Sequence, residues 1–341
     1  MTTKIEWVKD ENGNKGHTWN PLAGCTPVSE ACENCYAQRM ARRLQAMAKP
    51  GYAGLVDHNG KWTGKVRPQM NRLTEPLARK SPTMYFVNSM SDLFHESVSN
   101  KFIAGVFGVM ALCPQHTFQI LTKRAERMAE WFEWVEMYAT TLDGWPLPNV
   151  WIGVTVENQD RADERIPLLL KTPAALRFVS CEPLLGEVDI QDYLLPSEAP
   201  RRIIQPYSVP PEYMDVHALD WVIAGGETGP GARPMHLDWA RTLRDECKEA
   251  GVPFFFKQWG EWLPWLQFIE AKIQDGDDPA GPTRFQTMEW TGSLEGWMDV
   301  GQPCWCDDID DEQCVGRVGK KAAGRLLDGE EWNQMPERGS V

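Results

Sequence analysis

The run Val150–Val156, VWIGVTV, carries no charge and a single hydroxyl in seven residues. A strand with one wet face alternates apolar and polar side chains. A run that is apolar throughout suits a strand covered on both faces, as in a parallel sheet. The same reading applies to Met84–Asn88 (MYFVN), Thr117–Leu121 (TFQIL), Ala175–Ser180 (ALRFVS), Trp221–Gly225 (WVIAG) and Pro253–Lys257 (PFFFK). Between these runs lie helical patterns over Asn34–Met47, Asn100–Leu112, Ala125–Tyr138, Arg161–Leu170 and Asp238–Ala250. A first strand near His17–Leu22 and a weaker one near Lys61–Arg67 bring the count to about eight β/α units. The expected fold is α/β: a parallel β/α barrel, TIM-like, closed or partly open, over residues 1–260. Residues 261–341 are Trp-rich, acidic and broken by Gly and Pro, and read as an irregular extension packed on the barrel.

In a barrel of this kind, chemistry gathers at the carboxyl ends of the strands. Polar residues recur there: Ser89-Met90-Ser91-Asp92, Thr122-Lys123, Glu157-Asn158, Cys181-Glu182, Gly226-Glu227-Thr228 and Gln258-Trp259. Of these, Cys181 is either a hydrogen-atom donor to a product radical or a buried thiol. Asp92 and Glu182 are candidates to orient a substrate, and Lys123 and Lys257 to neutralise a carboxylate or phosphate. Glu227 and Arg233 are suited to gripping a polar ligand; the alternative is a glycine turn with a surface acid.

The chain has 341 residues, 42% hydrophobic and 24% charged, which is ordinary for a globular protein. No run of about 18 apolar residues indicates a membrane span, and the first residues lack the apolar core of a secretory signal. The default expectation is a cytoplasmic protein with no membrane partner. Net charge is −13, which argues against a general nucleic-acid coat protein. The charge is unevenly spread, however. From Tyr36 to Lys80, ten basic residues face only Asp57 and Glu75, a local balance of +8. From Glu261 onward, seventeen acids face seven bases, a balance of −10. Arg39, Arg42 and Arg43, at spacings of three and four, fall near one another on the first helix and suit phosphate recognition. A nucleotide or a short exposed stretch of nucleic acid is the expected partner class, and a solvated helix surface is the alternative.

Nine cysteines are present, and three fall within eleven residues: Cys25, Cys32 and Cys35, in GCTPVSEACENCY. In a reducing compartment, clustered thiols point to metal or redox chemistry rather than disulfides. Zinc in a structural site takes four ligands, and His17 is available as the fourth. A [4Fe-4S] cluster on three thiolates leaves one iron open to a substrate or cofactor. Cys304, Cys306 and Cys314 form a second set in the acidic tail, read as thiols without metal.

The stretches TWNPLAGCTPVSEACENCYA, FVNSMSDLFHE, ILTKRAERM, WIGVTVENQ, VSCEPLLG, WVIAGGETGPGARPM, FFFKQWG and GKKAAGRLLDG run from Thr18 to Gly329. Together they resemble an uncharacterised family of phage and prophage proteins with a three-cysteine motif, itself similar to radical S-adenosylmethionine enzymes. The spacing here is C-x6-C-x2-C, where that superfamily usually has C-x3-C-x2-C. The resemblance implies that Cys25, Cys32 and Cys35 bind three irons of a [4Fe-4S] cluster. It implies that the fourth iron takes the amino and carboxylate groups of S-adenosylmethionine. A reductant such as flavodoxin or ferredoxin would start the cleavage. It also suggests an adenine contact along Gly153–Glu157, continuing to Asn158. Gly225-Gly226-Glu227 has the letters of the superfamily's methionine-binding motif, but on a late strand rather than near the second. The expected activity is that of a radical enzyme acting on a nucleotide or nucleic-acid base. A zinc- or cluster-stabilised binding protein, or a nucleic-acid processing factor without this cofactor, is the alternative.

Overall fold

The computed structural model describes residues 2–10, 12–138, 145–194, 218–265, 267, 287–290, 297–301 and 314–336. The first strand, β1 (His17–Trp19), is followed by two-residue strands β2 (Leu22–Ala23) and β3 (Arg67–Pro68). Between them lie α1 (Tyr36–Ala46) and a loop folded back on it. The short helix α2 (Met70–Leu73) leads to β4 (Met84–Val87), α3 (Asn100–Ala111), β5 (Thr117–Thr122) and α4 (Ala125–Tyr138). Then come β6 (Val150–Thr155), α5 (Gln159–Lys171), β7 (Leu176–Cys181), β8 (Trp221–Gly225), α6 (Leu237–Ala250) and β9 (Phe254–Gln258).

Seven strands form one parallel sheet in the order β1-β4-β5-β6-β7-β8-β9. Each new strand joins on the same side of the last, and the sheet curls into a half-barrel. The six apolar runs are all in it. The eighth strand expected near Lys61–Arg67 is not. Only Arg67–Pro68 is extended, and it pairs antiparallel with Leu22–Ala23 outside the main sheet. Two lysines, Gly64 at φ +79° and a proline without an N–H make that segment a turn rather than a buried strand.

The two faces of the sheet bury different side chains. Tyr85, Phe118, Ile120, Ile152, Val154, Val179, Val222 and Phe256 pack toward the helices. Met84, Phe86, Trp151, Leu176, Phe178, Trp221, Ile223 and Phe255 point into the lumen. The amino-terminal segment plugs that lumen. The Trp7 ring lies 5.0 Å from Phe86 and 6.0 Å from Trp221, edge-on to both. One end of the half-barrel is therefore filled with aromatic side chains, which leaves the carboxyl end of the strands as the place for a site.

Local signals set the helix ends. Ser99 caps α3 by accepting from Phe102 N–H, and Asn158 caps α5 by accepting from Arg161 N–H. Gly251, left-handed at φ 66°, closes α6. Past β9 the chain forms a second, four-stranded antiparallel sheet. It comprises β10 (Trp262–Pro264), β11 (Thr287–Trp290), β12 (Trp297–Gly301) and β13 (Cys314–Arg317), in the order β10-β13-β11-β12. Residues 332–334 then run antiparallel along the outer edge of β9: Phe256 N–H donates to Trp332 O, and Gln334 N–H to Phe254 O. Among the described residues, no helix is long and apolar enough to cross a membrane.

Candidate functional site

Cys25 follows β2, Cys32 ends a 3-10 turn over Glu30–Cys32, and Cys35 occupies the position before α1. All three are partly exposed at the carboxyl end of the sheet. The loop that carries them is held from several sides. Arg124, just past β5, donates from Nη2 to Thr26 O (3.0 Å) and Oγ1 (2.8 Å), and its Nη1 lies 3.7 Å from Cys25 Sγ. Asn158, past β6, donates to the Glu30 carboxylate. Arg233, past β8, donates to Glu30 O (2.9 Å) and pairs with Glu33 (3.3 Å). Asn34 donates to Glu227 (2.9 Å). The ends of three strands thus pull one loop across the mouth of the half-barrel.

Arg124 and Asp92 are both buried and form the densest part of this bracing. Asp92 accepts from Thr122 Oγ1 (2.7 Å), Lys123 N–H (3.1 Å), Phe94 N–H (3.0 Å) and Arg124 Nη1 (3.2 Å). Arg124 Nε pairs with Glu96 at 2.8 Å. A buried guanidinium is stable only with its donors filled, and here carboxylates, a hydroxyl and a carbonyl fill them. Burial pushes the Cys25 thiol up to about 12, the Asp92 charge adds to this, and Arg124 opposes it.

Inside the mouth, Leu121, Gly153, Phe178 and Trp221 share one register level. Leu121 is half-buried and packs on the lumen cluster, while Phe178 and Trp221 are fully buried. Lys123 Nζ reaches Thr155 Oγ1 at 3.3 Å. Lys257 forms a close ion pair with Glu182 across Gly225. Tyr36 stands between these groups and the cysteines. Its hydroxyl donates to Ser89 O and its ring is 50% exposed.

The residues proposed from sequence separate into groups. Cys25, Cys32, Cys35, Glu182 and Lys257 meet at the mouth. Asp92, Asn158, Glu227 and Arg233 are there too, but they bond to one another and to the cysteine loop. Arg233 clasps Glu227 through two nitrogens, at 2.7 and 2.9 Å. Glu157 is fully buried against Arg165 at 2.9 Å. Gly153 makes room for Phe178, whose carbonyl oxygen would lie 2.6 Å from an added Cβ. Gly226 lets β8 and β9 close up, since a Cβ there would meet Trp259 O at 1.9 Å. Cys181 is fully buried in the core between sheet and helices, in the same cluster as Cys247 on α6. Burial pushes its thiol well up, and it lies behind the mouth rather than in it.

His17, the candidate fourth zinc ligand, sits with its ring 6.0 Å from Tyr85, a strand's length from the cysteines. His95 is nearer, but both its ring nitrogens are engaged, by Thr26 Oγ1 (3.0 Å) and Ser97 Oγ (2.9 Å). Among the described residues, no three Cys, His, Asp or Glu side chains converge at metal-ligand distances, so the thiols share a loop without closing on a centre. Cys314 is a buried residue of β13, while Cys304 and Cys306 fall outside the described residues. Sequence reasoning passed over Arg124 and His95. The clue to Arg124 was a second cation directly after Lys123 at a strand's carboxyl end.

No curated protein and no solved structure shows significant similarity to this chain. A family model described as "Protein of unknown function (DUF5131)" matches residues 2–336, nearly the whole length, and the chain belongs to that family.

Proposed function

We propose that this protein is an iron–sulfur enzyme of the radical S-adenosylmethionine type, acting on a nucleotide or nucleic-acid base. The observation that carries the reading is the cysteine loop, drawn across the mouth of the half-barrel by side chains from the ends of β5, β6 and β8. A merely structural metal knot has no need to be anchored at the mouth of a parallel half-barrel. The chemistry of the donor set supports a [4Fe-4S] group: three soft thiols on one loop, with His95 engaged at both ring nitrogens and His17 placed away beside Tyr85. The same displacement of His17 removes the ligand on which the Cys3His zinc reading depended.

When bound, such a cluster supplies one electron at a time to a ligand on its open iron. The chain's own groups would do the rest. Cys25, Cys32 and Cys35 hold the cluster. Arg124 keeps a positive charge beside the Cys25 sulfur. Lys123 with Thr155, and Lys257 with Glu182, present cationic and hydroxyl groups to polar ligand atoms in the lumen, while Phe178, Trp221 and the Trp7 plug keep water out below.

The test is turnover. Anaerobically loaded protein, reduced with dithionite, is expected to convert S-adenosylmethionine slowly to methionine and 5′-deoxyadenosine. A loaded and reduced protein that yields neither product would reject this chemistry.

A further inference from the structure

We infer that the outward face of α1 carries single-stranded nucleic acid to the mouth of the half-barrel. Helix α1 buries Ala37, Gln38 and Ala41. Its outer face presents Tyr36 and Met40, continued by Met47 at its C-cap, exposed by 50%, 41% and 55%, with Arg39 and Arg43 between them. These positions fall on one stripe at helical spacing. Apolar side chains left open on a helix next to a candidate site mark a binding surface.

Some arginines of this chain bond to neutral groups, as Arg127, Arg177 and Arg317 do. Others, Arg124, Arg161, Arg165, Arg233, Arg241 and Arg244, each face a carboxylate within 4.0 Å. Arg42 and Arg43 are exposed and face none among the described residues. Arg39 lies over Gly229 and donates to Thr228 O at 3.0 Å, a neutral partner that leaves its charge uncompensated. Lys49, Lys61 and Lys65 extend the same field from the loop that packs on α1 through Gln45–Val56 and Gln38–Trp62 contacts. In a protein of net charge −13, a cluster of exposed basic side chains without carboxylate partners suits an anionic partner.

The stripe decides which anion. A duplex offers phosphates but hides its bases, and so leaves a tyrosine ring and two thioethers without partners. A single strand offers both, with phosphates on the arginines and a base on the aromatic face. Tyr36 is where the stripe reaches the lumen, so a base stacked on it sits beside Cys35 and Glu182. This inference rests on the proposed function for what happens to that base, but not for the binding itself.

The test measures anisotropy of a fluorescein-labelled oligothymidylate about twelve nucleotides long, between about 50 and 300 mM KCl. Four proteins are compared: wild type, Arg42→Gln/Arg43→Gln, Tyr36→Leu, and wild type without iron. The log–log salt slope is expected to flatten by about 1.4 in the double variant, from about 0.7 per single-strand phosphate contact. Tyr36→Leu is expected to weaken binding by roughly 5- to 100-fold with the slope unchanged. Iron-free wild type is expected to bind as before, so a failure of cluster loading counts only against the catalytic reading. No binding at the lowest salt, equal binding by the double variant, or preference for a matching duplex would each overturn the inference.

Discussion

Arg124 shows how one side chain ties the sheet to the loop that would hold the cluster. Its guanidinium bonds to Asp92, Glu96 and Thr26 and approaches Cys25. Arg124→Ala leaves Asp92 buried without its countercharge, a loss of about 3–5 kcal/mol. A lower melting temperature together with poorer iron uptake is expected. Arg124→Lys, which keeps the charge but not the fork, should recover the first more than the second. Iron uptake at the wild-type level in both variants would detach Arg124 from the site. Glu246 on α6 offers a separate pH test. Burial, reinforced by Asp189 and Glu187, raises its carboxyl to about 7 against the Ile190 N–H bond that lowers it. A carboxyl raised on folding stabilises fully below its unfolded value near 4.5, and that contribution is lost as pH climbs through 7. Discounted for partial exposure, the loss is about 1–2 kcal/mol. Glu246→Gln is therefore expected to raise the melting temperature at pH 8 and leave it unchanged near pH 4.5. A difference that is the same at both pH values would refute the titration.

At the scale of elements, glycine positions separate packing from propensity. An added Cβ at Gly153 on β6 would stand 2.6–2.7 Å from Phe178, whereas at Gly105 on α3 it meets nothing within 4 Å. Gly153→Ala is expected to destabilise by about 1–3 kcal/mol, and Gly105→Ala to stabilise by about 0.5–1 kcal/mol, measured by urea unfolding. Opposite signs are the check. The strands themselves were legible because β4 to β9 are apolar on both faces, a pattern that needs no knowledge of partners. The choice between a closed and a partly open barrel was not, since KWTGKVR mixes residues in a way that looks extended until Gly64 and Pro68 are given their backbone roles. The cysteine trio was legible as a motif. Its bracing was not, because Arg124, Asn158 and Arg233 act across sequence separations of about a hundred to two hundred residues, which no local pattern records. Cys181 looked poised at a strand end, yet side chains alternate along a strand, and this one points to the helices.

For the whole molecule, both ends of the described chain complete the half-barrel. Trp7 fills the lumen, and Gln334 accepts from Trp221 Nε1 (3.0 Å) and Phe254 N–H (2.8 Å). A chain ended at Gly260 would uncover the edge of β9 and is expected to aggregate; a soluble, cooperatively melting product would show that the barrel stands alone. The charge asymmetry works at the same scale, with a basic segment around α1 set in a chain that is acidic on both sides of it. The central claim is that the braced loop holds an iron–sulfur cluster. Its most direct measurement is iron, sulfide and zinc content after anaerobic reconstitution, for wild type and for Ala variants of Cys25, Cys32, Cys35 and, as a control, Cys113. The account predicts about four irons per chain in wild type and Cys113→Ala, and loss in each of the other three. Stoichiometric zinc without iron, or iron retained when the trio is removed, would contradict it.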